Sequence, residues 1–92
     1  YALKGIPPLR RIWFRPFNTA EMTQIRNIIT LLRLSPEILD SRAAELLFYM
    51  RAADFFDFPS LARDIATLLR DRSQDERYRY TATLALKKLS FR

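Results

Sequence analysis

Apolar side chains recur every three or four positions along most of the chain, which is the spacing of amphipathic α-helices. The first such pattern follows Asn18 and Glu21, whose separation is that of a capping box. Its apolar positions are Met22, Ile25, Ile28, Ile29 and Leu32. We therefore predict a first helix over about 19–34.

Prolines indicate where the next two helices begin, because proline is favoured in the first turn of a helix. Pro36, after the capping residue Ser35, predicts a helix over about 36–54, and Pro59 predicts one over about 59–71. The segment 36–54 is apolar nearly all round, which is typical of a central helix. Asp40 and Ser41 leave room for a break within it. The connection 54–59 contains three phenylalanines, whose rings we expect to close one end of the bundle.

The last predicted helix spans about 74–90. Ser73 and Glu76 have capping-box spacing, which predicts Ser73 as the cap, and Asp75 and Arg79 have the spacing of an ion pair. One face of this helix carries Tyr78, Ala82, Ala85, Leu86 and Leu89. The sequence contains no sustained alternation of apolar and polar residues, which is the pattern that would predict a strand. The fold prediction is all-α, either a small bundle of three to four helices or consecutive antiparallel helical hairpins joined by short connections.

Residues 1–17 differ from the rest, because Gly5, Pro7, Pro8 and Pro16 oppose a helix and predict an extended arm before a single helical domain over 18–92. The arm interleaves guanidinium groups with aromatic rings, which are enriched at binding hot spots. These candidate partner-binding residues are Arg10, Arg11, Trp13, Phe14, Arg15 and Phe17. Their rings need a groove, which either the protein's own helices or a neighbouring molecule supplies. A third alternative is contact with single-stranded nucleic acid.

Composition removes several classes of chemistry. The chain contains no cysteine, no histidine and one glycine. These absences exclude disulfides, thiolate or imidazole metal sites, histidine general bases and glycine-rich phosphate loops. No apolar run has the length of a membrane span, and a domain of 92 residues has little room for a cleft. We expect no catalytic residues, no metal, no cofactor and no small-molecule ligand.

The net charge of +6 is unevenly distributed along the chain. Residues 1–33 contain six cations and one acid, residues 34–76 contain five cations and nine acids, and residues 77–92 contain five cations and no acid. The last group consists of Arg77, Arg79, Lys87, Lys88 and Arg92, candidates for contact with phosphate or an acidic partner. The alternative is internal neutralisation, in which the basic ends fold over the acidic middle.

Taken together, the pattern favours a non-catalytic helical subunit that docks into a larger macromolecular assembly, with other protein subunits as its partners. The arm and the basic last helix would supply the contacts. The alternative function is a small basic RNA-contacting component of a ribonucleoprotein particle, such as an organellar ribosome. Both of these functions are compatible with an intracellular or organelle-matrix setting, mitochondria included. A secreted domain without disulfides would have the same composition.

Overall fold

The computed structural model describes residues 17–91, which form five packed α-helices. The helices are α1 (Thr19–Leu34), α2 (Pro36–Ser41), α3 (Ala43–Phe55), α4 (Pro59–Arg72) and α5 (Glu76–Leu89). No strand occurs among the described residues, and the predicted all-α bundle is confirmed. The segment predicted as one helix over 36–54 is two helices that meet at Arg42.

Local sequence explains where these helices begin. The amide oxygen of Asn18 accepts a hydrogen bond from the backbone N–H of Glu21 at 2.9 Å, and a Glu21 carboxylate oxygen accepts from the N–H of Asn18 at 3.1 Å. This reciprocal pair is a capping box. Pro36 and Pro59 occupy the first positions of α2 and α4, where a missing N–H removes no helical hydrogen bond.

The cap of α5 differs from the prediction. Asp75, not Ser73, is the N-cap, and its carboxylate accepts from the N–H of Arg77 at 2.9 Å. The Ser73 hydroxyl is buried before the helix and donates to an Asp40 carboxylate oxygen at 2.6 Å. The other Asp40 oxygen accepts from the N–H of Gln74 at 2.9 Å. Asp40 therefore fastens the end of α2 to the connection between α4 and α5.

The central helix is α4, so the expectation that the segment 36–54 is central is wrong. α4 contacts each of the other four helices, whereas α5 packs chiefly on α4. Ala62 and Ala66 are completely buried on α4, and their small side chains let neighbouring helices approach closely. The other buried residues of α4 are Leu61, Ile65, Leu68 and Leu69.

The turn between α3 and α4 also departs from the prediction. Asp57 adopts a left-handed backbone conformation with φ of 68°, and the N–H of Phe58 donates to the carbonyl of Ala53 at 2.7 Å. These features close α3 as a Schellman-type cap, with aspartate in the position usually held by glycine. Phe58 packs against the core, but Phe55 is 81% exposed, so its ring does not close the end of the bundle.

Candidate interaction surface

Phe17 is the one candidate arm residue that lies within the described residues. Its ring is 5% exposed, and its centroid lies 6.2 Å from that of Tyr49 and 6.1 Å from that of Phe58. The groove that receives Phe17 is therefore supplied by the protein's own helices. The remaining candidates of the arm lie outside the described residues: Arg10, Arg11, Trp13, Phe14 and Arg15.

A polar cluster lies next to this aromatic contact. Arg42 donates from Nη2 to Glu45 Oε1 at 2.8 Å, and both side chains are mostly buried. Burial raises the pKa of the Tyr49 hydroxyl well above its usual value, and the carboxylates of Glu45 and Glu21 raise it further. Tyr49 is thus held neutral and is not an activated nucleophile.

An unexpected feature lies on the outer face of α5 and just beyond the end of this helix. Tyr80, Leu84 and Phe91 are 67%, 48% and 84% exposed, respectively. Tyr80 and Leu84 are one helical turn apart on one side of α5, and Phe91 follows in the turn after the helix, where its N–H donates to the carbonyl of Lys88 at 3.2 Å. This stripe lies opposite Ala82 and Leu89, which are buried against the core. We call Tyr80, Leu84 and Phe91 the α5 stripe.

The predicted cations at the start of α5 point in different directions. Arg77 is bound to Asp75, with Nη2 2.7 Å from Oδ2 and Nε 3.1 Å from Oδ1. These hydrogen bonds, together with the backbone N–H of Arg77, lower the pKa of Asp75 to about 2. Arg79 turns back instead, donating to the carbonyl of Ser73 at 3.3 Å and lying 3.7 Å from Glu76. The predicted ion pair between Asp75 and Arg79 is therefore wrong, since Arg77 is the direct partner.

The cations at the end of α5 are less constrained. Lys87 is exposed and has no ion-pair or hydrogen-bond partner among residues 17–91. The Lys88 ammonium is 75% exposed and lies 3.8 Å from a carboxylate oxygen of Asp54. Arg92 lies outside the described residues. The available positive charge on α5 is therefore concentrated in its last turn, beside Leu84 and Phe91.

Two adjoining cavities lie beside α3. The larger has a volume of about 320 Å³ and is lined by Arg51, Ala52, Asp54, Phe55 and Phe56. The smaller, of about 160 Å³, lies between α3 and α5, with Ala62 of α4 also contributing. Arg51 and Asp54 line both cavities. The two cavities therefore share this part of α3, and we call them together the α3–α5 groove.

Sequence reasoning missed both the α5 stripe and the α3–α5 groove. The stripe was detectable, because Tyr80 and Leu84 give α5 a second apolar side besides the one that contains Ala82 and Leu89, and the apolar Phe91 follows directly after the helix. The groove was not, because it depends on how far apart α3 and α5 lie across α4. Only the folded chain fixes that distance.

Comparisons with protein-family models, with curated proteins and with solved structures find no match to this chain. Within residues 17–91, no helix combines the length and apolarity needed to cross a membrane. The acidic side chains of the same residues form no group of three or more that could hold a metal ion.

Proposed function

We propose that the protein is a non-catalytic helical subunit that docks into a larger assembly through the outer face of α5. The observation that carries this proposal is the α5 stripe, in which Leu84 and two aromatic side chains remain exposed although the same helix buries its opposite side. Exposed apolar groups that lie together, rather than singly, are typical of an interaction surface.

The charges beside the stripe support an acidic partner surface. Lys87 and Lys88 flank Leu84 and Phe91, and the described residues of α5 carry four cations and one acid. An apolar centre with a charged rim is the usual composition of a protein interface. The predicted arm would contribute further contacts through its arginines and Trp13, which remain a prediction from the sequence.

Affinity capture from native extract tests this function. We expect wild-type protein to retain a defined set of proteins, and the variant Leu84→Asp with Phe91→Asp to lose them. Its control is Leu34→Asp, because Leu34 is 79% exposed on α1, similar to Phe91 at 84%. Circular dichroism should give the same helicity for all three proteins. Equal capture by wild type and the α5 variant would contradict docking through this face.

A second candidate function is contact with RNA, which the exposed Tyr80 favours. Its ring is 67% exposed on the same helix as Lys87 and Lys88, so it could stack on a base while the lysines meet phosphates. Binding of a single-stranded RNA oligonucleotide should then weaken steeply as salt increases. Absence of binding at low salt would exclude this candidate and leave protein docking.

A further inference from the structure

The turn between α3 and α4 carries exposed aromatic and acidic groups beside Phe17, the last residue of the arm. The Phe17 ring packs on Phe58, with centroids 6.1 Å apart. Asp57 directly precedes Phe58 and is exposed. Phe55 is 81% exposed, and its ring meets that of Phe56 edge-on with centroids 5.0 Å apart. The turn therefore presents an aromatic pair and a carboxylate near the point where the arm joins the helical domain.

The chain before Phe17 is long enough to reach this turn. Trp13 is four residues before Phe17, so its backbone lies at most about 14 Å away. Phe55 is three residues before Phe58, a separation of at most about 11 Å along the chain. Arg15 is nearer to Phe17, and its guanidinium has to reach only the residue next to Phe58. Both arm side chains can therefore meet the turn while Phe17 keeps its place in the core.

The sequence of the arm predicts which side chains lie on the side of Phe17. Pro16 favours an extended backbone at the residue before it. Successive side chains of an extended chain point to opposite sides, so we expect Arg15 and Trp13 on the same side as Phe17. We expect Phe14 on the other side. The two residue types that match the turn, an aromatic ring and a cation, are thus predicted to face it.

Charge favours the arm as the occupant of this turn. Residues 1–16 contain four cations and no acid, so the arm is attracted to the exposed Asp57, which would repel an acidic segment of a partner. Arg51 lines the cavity beside Phe55 and opposes further cations, and for this reason only Arg15 is assigned to the turn. An indole ring is compatible with Arg51, because a guanidinium stacks on aromatic faces.

The covalent link favours the protein's own arm over the arm of a second copy. A segment joined through a short link has an effective concentration in roughly the millimolar range at a site that it can reach. A second copy has to be supplied at that concentration to compete, and its net charge of +6 is repelled by the same charge on the first copy. The own arm therefore has the advantage at ordinary protein concentrations.

We propose that residues 13–16 fold back on the turn between α3 and α4. The Trp13 ring covers the exposed face of Phe55. The Arg15 guanidinium binds the Asp57 carboxylate. This contact opens and closes while the five helices stay folded, so it changes the exposure of Trp13 more than it changes the free energy of unfolding.

This contact narrows the part that the arm plays in docking. A Trp13 ring held by its own domain is not a partner contact, and the share of the arm in the proposed function is left to Arg10 and Arg11. The α5 stripe takes no part in the contact. Loss of partner capture in the α5 variant and loss of the Trp13 contact are therefore separate results, and either proposal can fail alone.

Tryptophan fluorescence tests the contact directly, because Trp13 is the only tryptophan of the sequence. The reference for a solvent-exposed ring is a synthetic peptide of residues 9–17. We expect Trp13 of the 92-residue protein to emit at shorter wavelength than the peptide and to be quenched less by acrylamide. Both differences should be independent of protein concentration, because the contact is intramolecular.

Three variants remove one group each. Phe55→Ala removes the ring under Trp13, Arg15→Gln removes the cation, and Asp57→Asn removes the carboxylate charge while asparagine still tolerates the φ of 68°. Each should shift the emission towards that of the peptide and raise acrylamide quenching, with helicity by circular dichroism unchanged. Arg15→Gln lies before α1, so it keeps the test available if a variant of the turn loses helicity.

Each variant has a control that changes the same residue type elsewhere. Leu34→Ala replaces a leucine that is 79% exposed on α1 and matches the loss of an exposed apolar side chain. Arg10→Gln changes an arginine predicted on the opposite side of the arm, and Asp71→Asn changes an exposed aspartate of α4. All three controls should keep the emission and the quenching of the wild type.

Several results would overturn the proposal. Wild-type emission and quenching equal to those of the peptide would mean that Trp13 lies in solvent, available to a partner. Protection from acrylamide that grows with protein concentration would assign the turn to the arm of a second copy. Protection that survives Phe55→Ala would place Trp13 elsewhere on the fold, and protection that survives both charge variants would refute the contact between Arg15 and Asp57. Equal losses in the variants and their controls would show that the contact is not specific.

Discussion

Replacing Asp40 by alanine should destabilise the fold although this side chain is only half-buried. Its carboxylate accepts from the hydroxyl of Ser73 at 2.6 Å and from the N–H of Gln74 at 2.9 Å, joining residues more than thirty positions apart. In Asp40→Ala both donors lose this partner. Ser73 is 3% exposed, so water cannot readily replace the carboxylate at its hydroxyl.

The magnitude follows from the two hydrogen bonds. Hydrogen bonds to charged groups contribute about 1.5–3 kcal/mol each, but the half-exposed position of Asp40 lets water recover part of this at Gln74. We therefore expect the free energy of unfolding to fall by about 2–3 kcal/mol in Asp40→Ala. For a domain of this size, that loss corresponds to a decrease in Tm of roughly 10–20 °C.

Urea denaturation followed by circular dichroism measures this loss. The matched control is Asp71→Ala, because the Asp71 carboxylate is half-exposed and, among residues 17–91, bonds only to its neighbour Arg70, at 2.9 Å. We expect the control to change stability by less than about 0.5 kcal/mol. A double-mutant cycle of Asp40→Ala with Ser73→Ala should give a coupling of about 1 kcal/mol or more. If Asp40→Ala is as stable as Asp71→Ala, or if the coupling is zero, the link between α2 and the α4–α5 connection has no energetic role.

Three further predictions concern single contacts. Phe17→Ala should lower the free energy of unfolding by about 3–5 kcal/mol, because the Phe17 ring is buried. Phe55→Ala is the control and should leave this free energy nearly unchanged, because the Phe55 ring is exposed. Equal losses for the two variants in urea denaturation would contradict the packing of Phe17. The folded pKa of Asp75 is about 2 and its unfolded pKa is 3.8, so its contribution to stability is complete above about pH 4 and disappears as the pH falls towards 2. Asp75→Asn should flatten the Tm profile over that range, and an unchanged profile would be inconsistent with the contact to Arg77. Arg26→Ala removes a half-exposed ion pair with Asp64 and should reduce stability by no more than about 1 kcal/mol, less at high salt; a loss that is insensitive to salt would argue against an ionic contact.

The helix boundaries could be predicted where the signal is local. Asn18 with Glu21, Pro36 and Pro59 each place a helix start correctly, because a capping box or an N-terminal proline acts within one turn. The predicted start of α5 was too early, because Ser73 and Asp75 are both residue types that favour the N-cap position. A tertiary contact decides which of the two caps the helix. Asp40 engages the Ser73 hydroxyl, and Asp75 caps the helix.

The parts that sequence reasoning missed depend on distant contacts. The apolar surface of the segment 36–54 suggested a central position, but the segment is divided into two helices at Arg42. Phe55, at the end of the second of these helices, is exposed. α4 is central instead, because Ala62 and Ala66 allow close approach of its neighbours. Of the candidate interaction residues, Phe17 lies in the core, Arg79 folds back on Ser73, and Lys87 remains available to a partner.

The central position of α4 has a consequence for how the chain folds during synthesis. A ribosome releases the polypeptide from its N-terminal end, so α1, α2 and α3 emerge before Pro59 does. Ile25 and Leu32 of α1 and Leu46 of α3 belong to the hydrophobic core. Both of these helices pack against α4. We therefore expect the first half of the nascent protein to keep apolar surface exposed to solvent or to a chaperone until residues 59–72 leave the exit tunnel. We expect such a chain to fold in one late event after α4 has emerged, rather than helix by helix.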